Sequence, residues 1–196
     1  MDYAGAINYI LKRLENDLPD HLHYHGHHHT KDVMEAAQRI AIAEGVSEDD
    51  LNLIKVAAAY HDAGFIDGHK DHEARGCEMA REVLPGFDFN EAAIEQVCKM
   101  ILATKVPQQA EDKLSRILCD ADLDYLGRDD FEYVGKTLFD ELNHLGIVES
   151  IEAWNRIQLS FLTKHHYHTN YGKTKRQPEK LVHLEKIRTI VDGYED

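Results

Sequence analysis

The stretch Val56-Ala57-Ala58-Ala59-Tyr60-His61-Asp62-Ala63-Gly64-Phe65 decides how this chain reads. A run of small and apolar residues predicts a buried helix. It stops at a histidine followed at once by an aspartate, and Gly64 then lets the backbone turn away. Two metal-binding side chains therefore stand at a helix end. Neighbouring helical residues project about 100° apart, so His61 and Asp62 reach one ion only at the end of the axis or in a cleft beside it. A lone His-Asp pair arises readily by chance, and its weight comes from what stands elsewhere in the chain.

Upstream lies Tyr24-His25-Gly26-His27-His28-His29-Thr30, where a histidine precedes the start of an amphipathic helix. Downstream lies Leu118-Cys119-Asp120-Ala121-Asp122-Leu123-Asp124-Tyr125-Leu126-Gly127, an acidic cluster in an apolar frame. Histidine, His-Asp and a distant aspartate, in that order on a helical chain, resemble the HD superfamily of metal-dependent phosphohydrolases over about residues 20 to 130. A closer resemblance, to small bacterial HD proteins, rests on Ala103-Thr104-Lys105, on Cys119 to Arg128, and on Phe161 to His165 running to Tyr167-His168-Thr169. It implies an all-α HD-domain helical bundle. Residues 1–196 are expected to form one domain, a metal-binding core at about 20–130 with C-terminal helices at about 129–196 packing on it.

Composition narrows the function. A chain of 196 residues is long enough to bury a good core. No run approaches the length of a membrane span and the N-terminus lacks a signal-peptide pattern, so the expectation is a cytoplasmic protein without a membrane partner. A net charge of −14 argues against nucleic acid and anionic membrane, whose phosphates attract basic surfaces. An acidic protein that handles a small phosphorylated substrate must supply positive charge locally, through a metal ion and a few Lys or Arg side chains. The three cysteines, Cys77, Cys98 and Cys119, lack Cys-x-x-Cys spacing and read as reduced thiols in the core or on helix faces. Of the 14 histidines, six crowd between residues 21 and 29, where a solvated tract is the plain reading, and only His29 is singled out.

The periodicity is helical throughout. Ile7, Ile10, Leu11, Leu14 and Leu18 mark a first helix that Pro19 ends. Thr30 is read as the N-cap of a second that runs to Gly45, and Ser47 as the cap of the buried helix ending at His61. Further helices are expected at about 72–84, from Asn90 to Thr104, at 114–121, and at about 129–145, 149–165 and 178–192. No alternating strand pattern, repeat or linker interrupts them.

The resemblance implies that His29, His61, Asp62 and Asp122 hold one divalent cation. Their mixed nitrogen and oxygen set suits Mn, Fe, Co, Ni or Zn, and Mg less well. Asp122 is chosen because the family pattern places its ligand at the second Asp of Asp-x-Asp. Asp120 and Asp124 are read as supporting or helix-surface acids. Asp62 is assigned a second, catalytic role in orienting the attacking water, and His72 is the expected general acid to the leaving group. Lys105 and Arg176 are the expected phosphate contacts, Arg176 offering a two-pronged grip.

The implied activity is metal-dependent hydrolysis of a phosphomonoester or phosphodiester, with a nucleotide as the expected small-molecule partner. Alternatives are an iron-dependent HD oxygenase and a metal-binding signalling module without turnover. Two-metal HD proteins carry further histidines before the final Asp. Met100-Ile101-Leu102-Ala103-Thr104-Lys105 occupies that place here. The Gly-Tyr-Pro motif of HD-GYP proteins is absent, and Gly64-Phe65-Ile66-Asp67 replaces the Glu-Asp pair of alarmone hydrolases. The residues leave the metal, the substrate and the oligomeric state open.

Overall fold

The computed structural model describes residues 1–194, and among them every regular element is helical. Nine α-helices alternate with short tight turns among the described residues: α1 (Tyr3–Asp17), α2 (His27–Ala43), α3 (Glu48–Tyr60), α4 (His72–Val83), α5 (Glu91–Ala103), α6 (Lys113–Asp122), α7 (Phe131–His144), α8 (Ile151–Lys164) and α9 (Gln177–Asp192). Among the same residues no helix is long and apolar enough to cross a membrane.

The chain divides into two compact units. The first comprises Met1–Pro19 and His25–Asp122. Its centre is α3, in which Ile54 and the run Val56 to Tyr60 are completely buried. Ala57, Ala58 and Ala59 keep that helix thin, so α1, α2, α5 and α6 all pack on it. Local chemistry sets its start, since the Ser47 hydroxyl accepts from the Asp50 amide at 3.1 Å and Glu48, Asp49 and Asp50 fill the first turn. Asn90 caps α5 in the same way, accepting from the Ala93 amide at 2.9 Å.

One cap differs from the sequence expectation. Helix α2 begins at His27, with Gly26 extended as its N-cap, and Thr30 lies buried within the helix. The histidine run forms its first turn, which places His29 inside the helix. Two glycines permit close approaches in this unit. A Cβ on Gly64 would lie 2.0 Å from the His72 carbonyl oxygen, and one on Gly76 would lie 2.8 Å from that of Tyr60.

The second unit comprises Asp20–Tyr24 and Leu123–Asp196, described to residue 194. Its core gathers Tyr24, Tyr125, Leu126, Phe131, Leu162 and Leu184 with their neighbours. The buried Glu141 carboxylate accepts the Tyr24 amide at 2.8 Å, and the Tyr167 hydroxyl donates to the Leu123 carbonyl at 3.1 Å. A π-helical turn, Gly172–Arg176, presses on Gly127, where a Cβ would meet the Arg176 carbonyl oxygen at 2.2 Å. Lys180 is buried on α9 and donates to the Leu162 and His165 carbonyls, closing the C-terminal end of α8.

Candidate metal centre

The site is built from three helix ends of the first unit. His29 comes from the first turn of α2, His61 and Asp62 from the end of α3, and Asp122 from the last residue of α6. His61 is oriented by its own helix, because its Nδ1 lies 2.7 Å from the Ala58 carbonyl oxygen. That contact requires the proton on Nδ1, so in the neutral ring the Nε2 lone pair points into the site. His61 Nε2 lies 3.1 Å from Asp62 Oδ2 and 3.5 Å from Asp122 Oδ1. His29 Nε2 lies 3.5 Å and 3.3 Å from the same two oxygens.

These residues fit a cation. His61 Nε2 and Asp62 Oδ2 are buried and make no hydrogen bond. An imidazole lone pair facing two carboxylates in a buried pocket is repulsive unless a positive charge sits between them. The spacings agree with that charge being a metal, since donors about 2.1 Å from one ion stand about 3.0 to 3.4 Å apart. His29, His61 and Asp122 can all offer a donor atom within 4.8 Å of one another, and Asp62 Oδ2 lies 3.5 and 3.1 Å from the Nε2 atoms of His29 and His61.

Without a metal the charge is supplied by a proton. Burial alone would depress His61, but the Asp62 and Asp122 carboxylates outweigh it and hold the imidazole well above its ordinary 6.5. Burial would raise both acids, yet His61 pulls Asp62 far below 3.8, and the adjacent His29 and His61 imidazoles bring Asp122 down to about 2.

The raised histidine stabilises the fold fully below 6.5 and loses that contribution as pH climbs through its folded-state value. The lowered acids contribute above 3.8 and lose it as pH falls. The unfolding midpoint of chelator-treated protein should therefore fall as pH rises above 6.5, and an added divalent cation should restore it. Thermal scans across pH check this, and a midpoint insensitive to both pH and cation would show that the four donors do not form one site.

Three further side chains adjoin the donors. His72, the first residue of α4, places Nε2 3.5 Å from the other Asp62 oxygen, Oδ1, and 3.5 Å from Glu73 Oε1. Burial pushes His72 below its ordinary value despite those carboxylates. His25 and His72 each stack on Phe65 with ring centres 4.2 Å apart, and His25 lies 6.1 Å from the rings of both His29 and His72. Gln108 donates to Asp122 Oδ2 at 3.4 Å and to the Cys119 carbonyl at 3.2 Å.

Sequence reasoning singled out neither His25 nor Gln108. His25 sits in a tract where composition gives no reason to prefer one histidine over another. Gln108 lies in a loop without periodicity.

Of the expected phosphate contacts, Lys105 is exposed and paired with Asp71 at 3.0 Å. Arg176 belongs to the second unit, where its Nε and Nη2 grip the Asp124 carboxylate at 2.7 and 3.1 Å. The acids flanking Asp122 are not surface groups. Asp120 and Asp124 are both buried, because Asp120 faces inward on α6 and Asp124 opens a tight 3₁₀ turn beneath Arg176.

The HD-domain family model matches residues 26–124, just over half of the chain and all four donors. The chain belongs to the HD-domain family. A solved structure of a predicted HD superfamily hydrolase from an uncultured Thermotogales bacterium shares its fold, with a TM-score of 0.62 at 22% identity over 97% of this chain and 92% of the other. No curated protein matches the chain in sequence. The matched span contains the adjacent His61-Asp62, and the helices bring His29 and Asp122 to that pair from 32 residues upstream and 60 residues downstream.

Proposed function

We propose that this HD-domain protein is a metal-dependent hydrolase of phosphoesters, acting on a small cytoplasmic substrate, a nucleotide phosphomonoester or phosphodiester. The observation that carries the reading is the convergence of four donors, three of them buried and Asp122 partly so, with the His72 imidazole beside Asp62 Oδ1. The description of the Thermotogales structure as a predicted hydrolase supports the reaction class. When bound, a divalent cation would acidify water and polarise a phosphoryl oxygen. Mn, Fe, Co, Ni and Zn all suit a pair of imidazoles with a pair of carboxylates.

The protein's own groups have distinct tasks. Asp62 turns Oδ2 toward the other donors and Oδ1 toward His72, so one carboxylate can help hold the ion and accept a hydrogen bond from the attacking water. His72, in its imidazolium form, would give a proton from Nε2 to the departing alkoxide, while its Nδ1 lies 3.3 Å from the His69 carbonyl oxygen. Phe65 fixes the plane of that ring by stacking on it. His72→Ala should retain the metal and lower kcat by about 10²- to 10⁴-fold, the usual worth of a general acid. Elemental analysis beside turnover checks the split, and loss of metal with activity would make His72 a ligand instead.

Lys105 and Arg176 remain the proposed phosphate contacts. Each already holds an aspartate, Asp71 or Asp124, with which a phosphate would have to compete. Arg176→Ala should raise KM several-fold with a smaller change in kcat. A lowered unfolding midpoint with unchanged KM would reduce Arg176 to the partner of the buried Asp124 carboxylate.

The reading as a whole is tested by metal content of the purified chain and by hydrolysis of an aryl phosphate and a bis-aryl phosphate after addition of Mn, Co or Ni. About one metal per chain with metal-dependent release is expected. Bound metal with no release from these esters or a nucleotide panel would overturn the hydrolase assignment.

A further inference from the structure

The proposed chemistry leaves one pair of reactive groups unused. Cys77 on α4 and Cys98 on α5 face each other where these helices pack, both buried. The Cys77 thiol donates to the Cys98 carbonyl at 3.4 Å, and the Cys98 thiol donates to the Cys77 carbonyl at 3.7 Å. This reciprocal crossing sets each thiol against the backbone of the other cysteine, on the facing sides of α4 and α5.

The surroundings of the two thiols are unequal. Cys98 lines a cavity of about 340 Å³ together with Arg81, Lys99, Gln109 and Ser115, which is room for a small polar molecule. The Cys77 thiol, and after it the Arg81 guanidinium, draw Cys98 toward its thiolate, although burial opposes this. The Cys98 thiol and burial push Cys77 up, so it keeps its proton. Arg81 itself is steadied by two hydrogen bonds to Glu95, at 2.8 and 3.0 Å. A cysteine that lines a cavity and faces a second thiol across a helix contact is an arrangement in which oxidation proceeds to a disulfide. Cys119 differs, with its thiol on the Ala103 carbonyl at 3.2 Å and burial raising it.

We propose that Cys77 and Cys98 are an oxidisable dithiol that a hydroperoxide converts to a disulfide joining α4 to α5. The Cys98 thiolate attacks the nearer peroxide oxygen, and the O–O bond breaks to give a sulfenic acid and, after protonation, water or an alcohol. The Cys77 sulfur then displaces water from the sulfenic sulfur. Two thiols lose two electrons and two protons in total, and one hydroperoxide is reduced by two electrons. The bond pins α4, whose first residue is His72, five residues before Cys77.

The test treats the folded full-length chain with hydrogen peroxide, unfolds it in denaturant and counts free thiols. The count should fall from three to one in monomeric protein and return to three with dithiothreitol. A tryptic digest should contain Gly76–Arg81 linked to Glu82–Lys99, two hydrogens lighter than the sum of the two peptides. Cys77→Ser should leave Cys98 as a sulfenic acid that dimedone traps, and Cys98→Ser should keep both of its thiols. A count that stays at three, a link through Cys119 or between chains, or loss of thiols to sulfinic acid without a link would each overturn the proposal.

Discussion

His61→Ala is expected to abolish bound metal and turnover together, lowering kcat/KM by about 10³-fold or more, because the residue supplies a donor atom and the chemistry has no protein nucleophile to fall back on. The imidazole is also the group whose proton reconciles Asp62 with Asp122 when no metal is present. Its removal leaves the buried Asp62 and partly buried Asp122 carboxylates, 3.5 and 3.3 Å from His29 Nε2, with one imidazole to share. The variant should therefore lose stability as well, by about 2 to 3 kcal/mol at neutral pH.

His61→Gln separates the two effects. It keeps bulk and a polar tip but lacks the ring nitrogen held in place by the Ala58 carbonyl. Elemental analysis of folded His61→Gln protein, with circular dichroism as the check on folding, should find well under one metal per chain. Full metal occupancy with full activity would remove His61 from the donor set and with it the whole site.

The second large effect is expected from Gly64→Ala, one methyl group added two residues beyond the HD pair. The new Cβ would lie 2.0 Å from the His72 carbonyl oxygen, 2.8 Å from its carbonyl carbon and 2.9 Å from Arg75 Cβ. The first two are backbone atoms at the start of α4, so no side-chain rotation relieves the clash. Either the 3₁₀ turn at residues 63–67 or the N-terminal end of α4 must shift. A cost of about 3 kcal/mol follows from overpacking a buried contact.

The shift also moves His72 away from Asp62, so activity should fall by at least tenfold even at temperatures where the variant is folded. Gly86→Ala is the control, since nothing lies within 4 Å of its added Cβ. It should change stability by less than about 0.5 kcal/mol. Equal midpoints and equal activity for the two variants would mean that Gly64 does not set the distance between the HD turn and α4.

Much of the fold was legible because its signals are local. Apolar residues recurring at helical spacing mark α1, α3 and α5, and Ser47 and Asn90 announce their caps within three residues. The start of α2 was not legible in that way. Histidines are indifferent helix formers, and Thr30, a good cap by type, was taken inward when the chain used the extended Gly26 instead. The acids around Asp122 were equally ambiguous. Helical spacing alone does not say which side of α6 is buried, and only packing made Asp120 and Asp124 interior groups.

The sequence by itself determined the helical class, the HD pair at the end of a small-residue helix, and the kinds of donor available to a cation. Those features depend on a residue and its neighbours within a few turns. Tertiary structure alone decided that His29 and Asp122 each meet that pair at 3.5 Å, that His25 and His72 stack on Phe65, and that Gln108 reaches Asp122. It also joined Arg176 to Asp124, 52 residues away, and set Cys77 against Cys98. Contacts between residues far apart in sequence depend on how whole helices pack, and no local pattern encodes that packing.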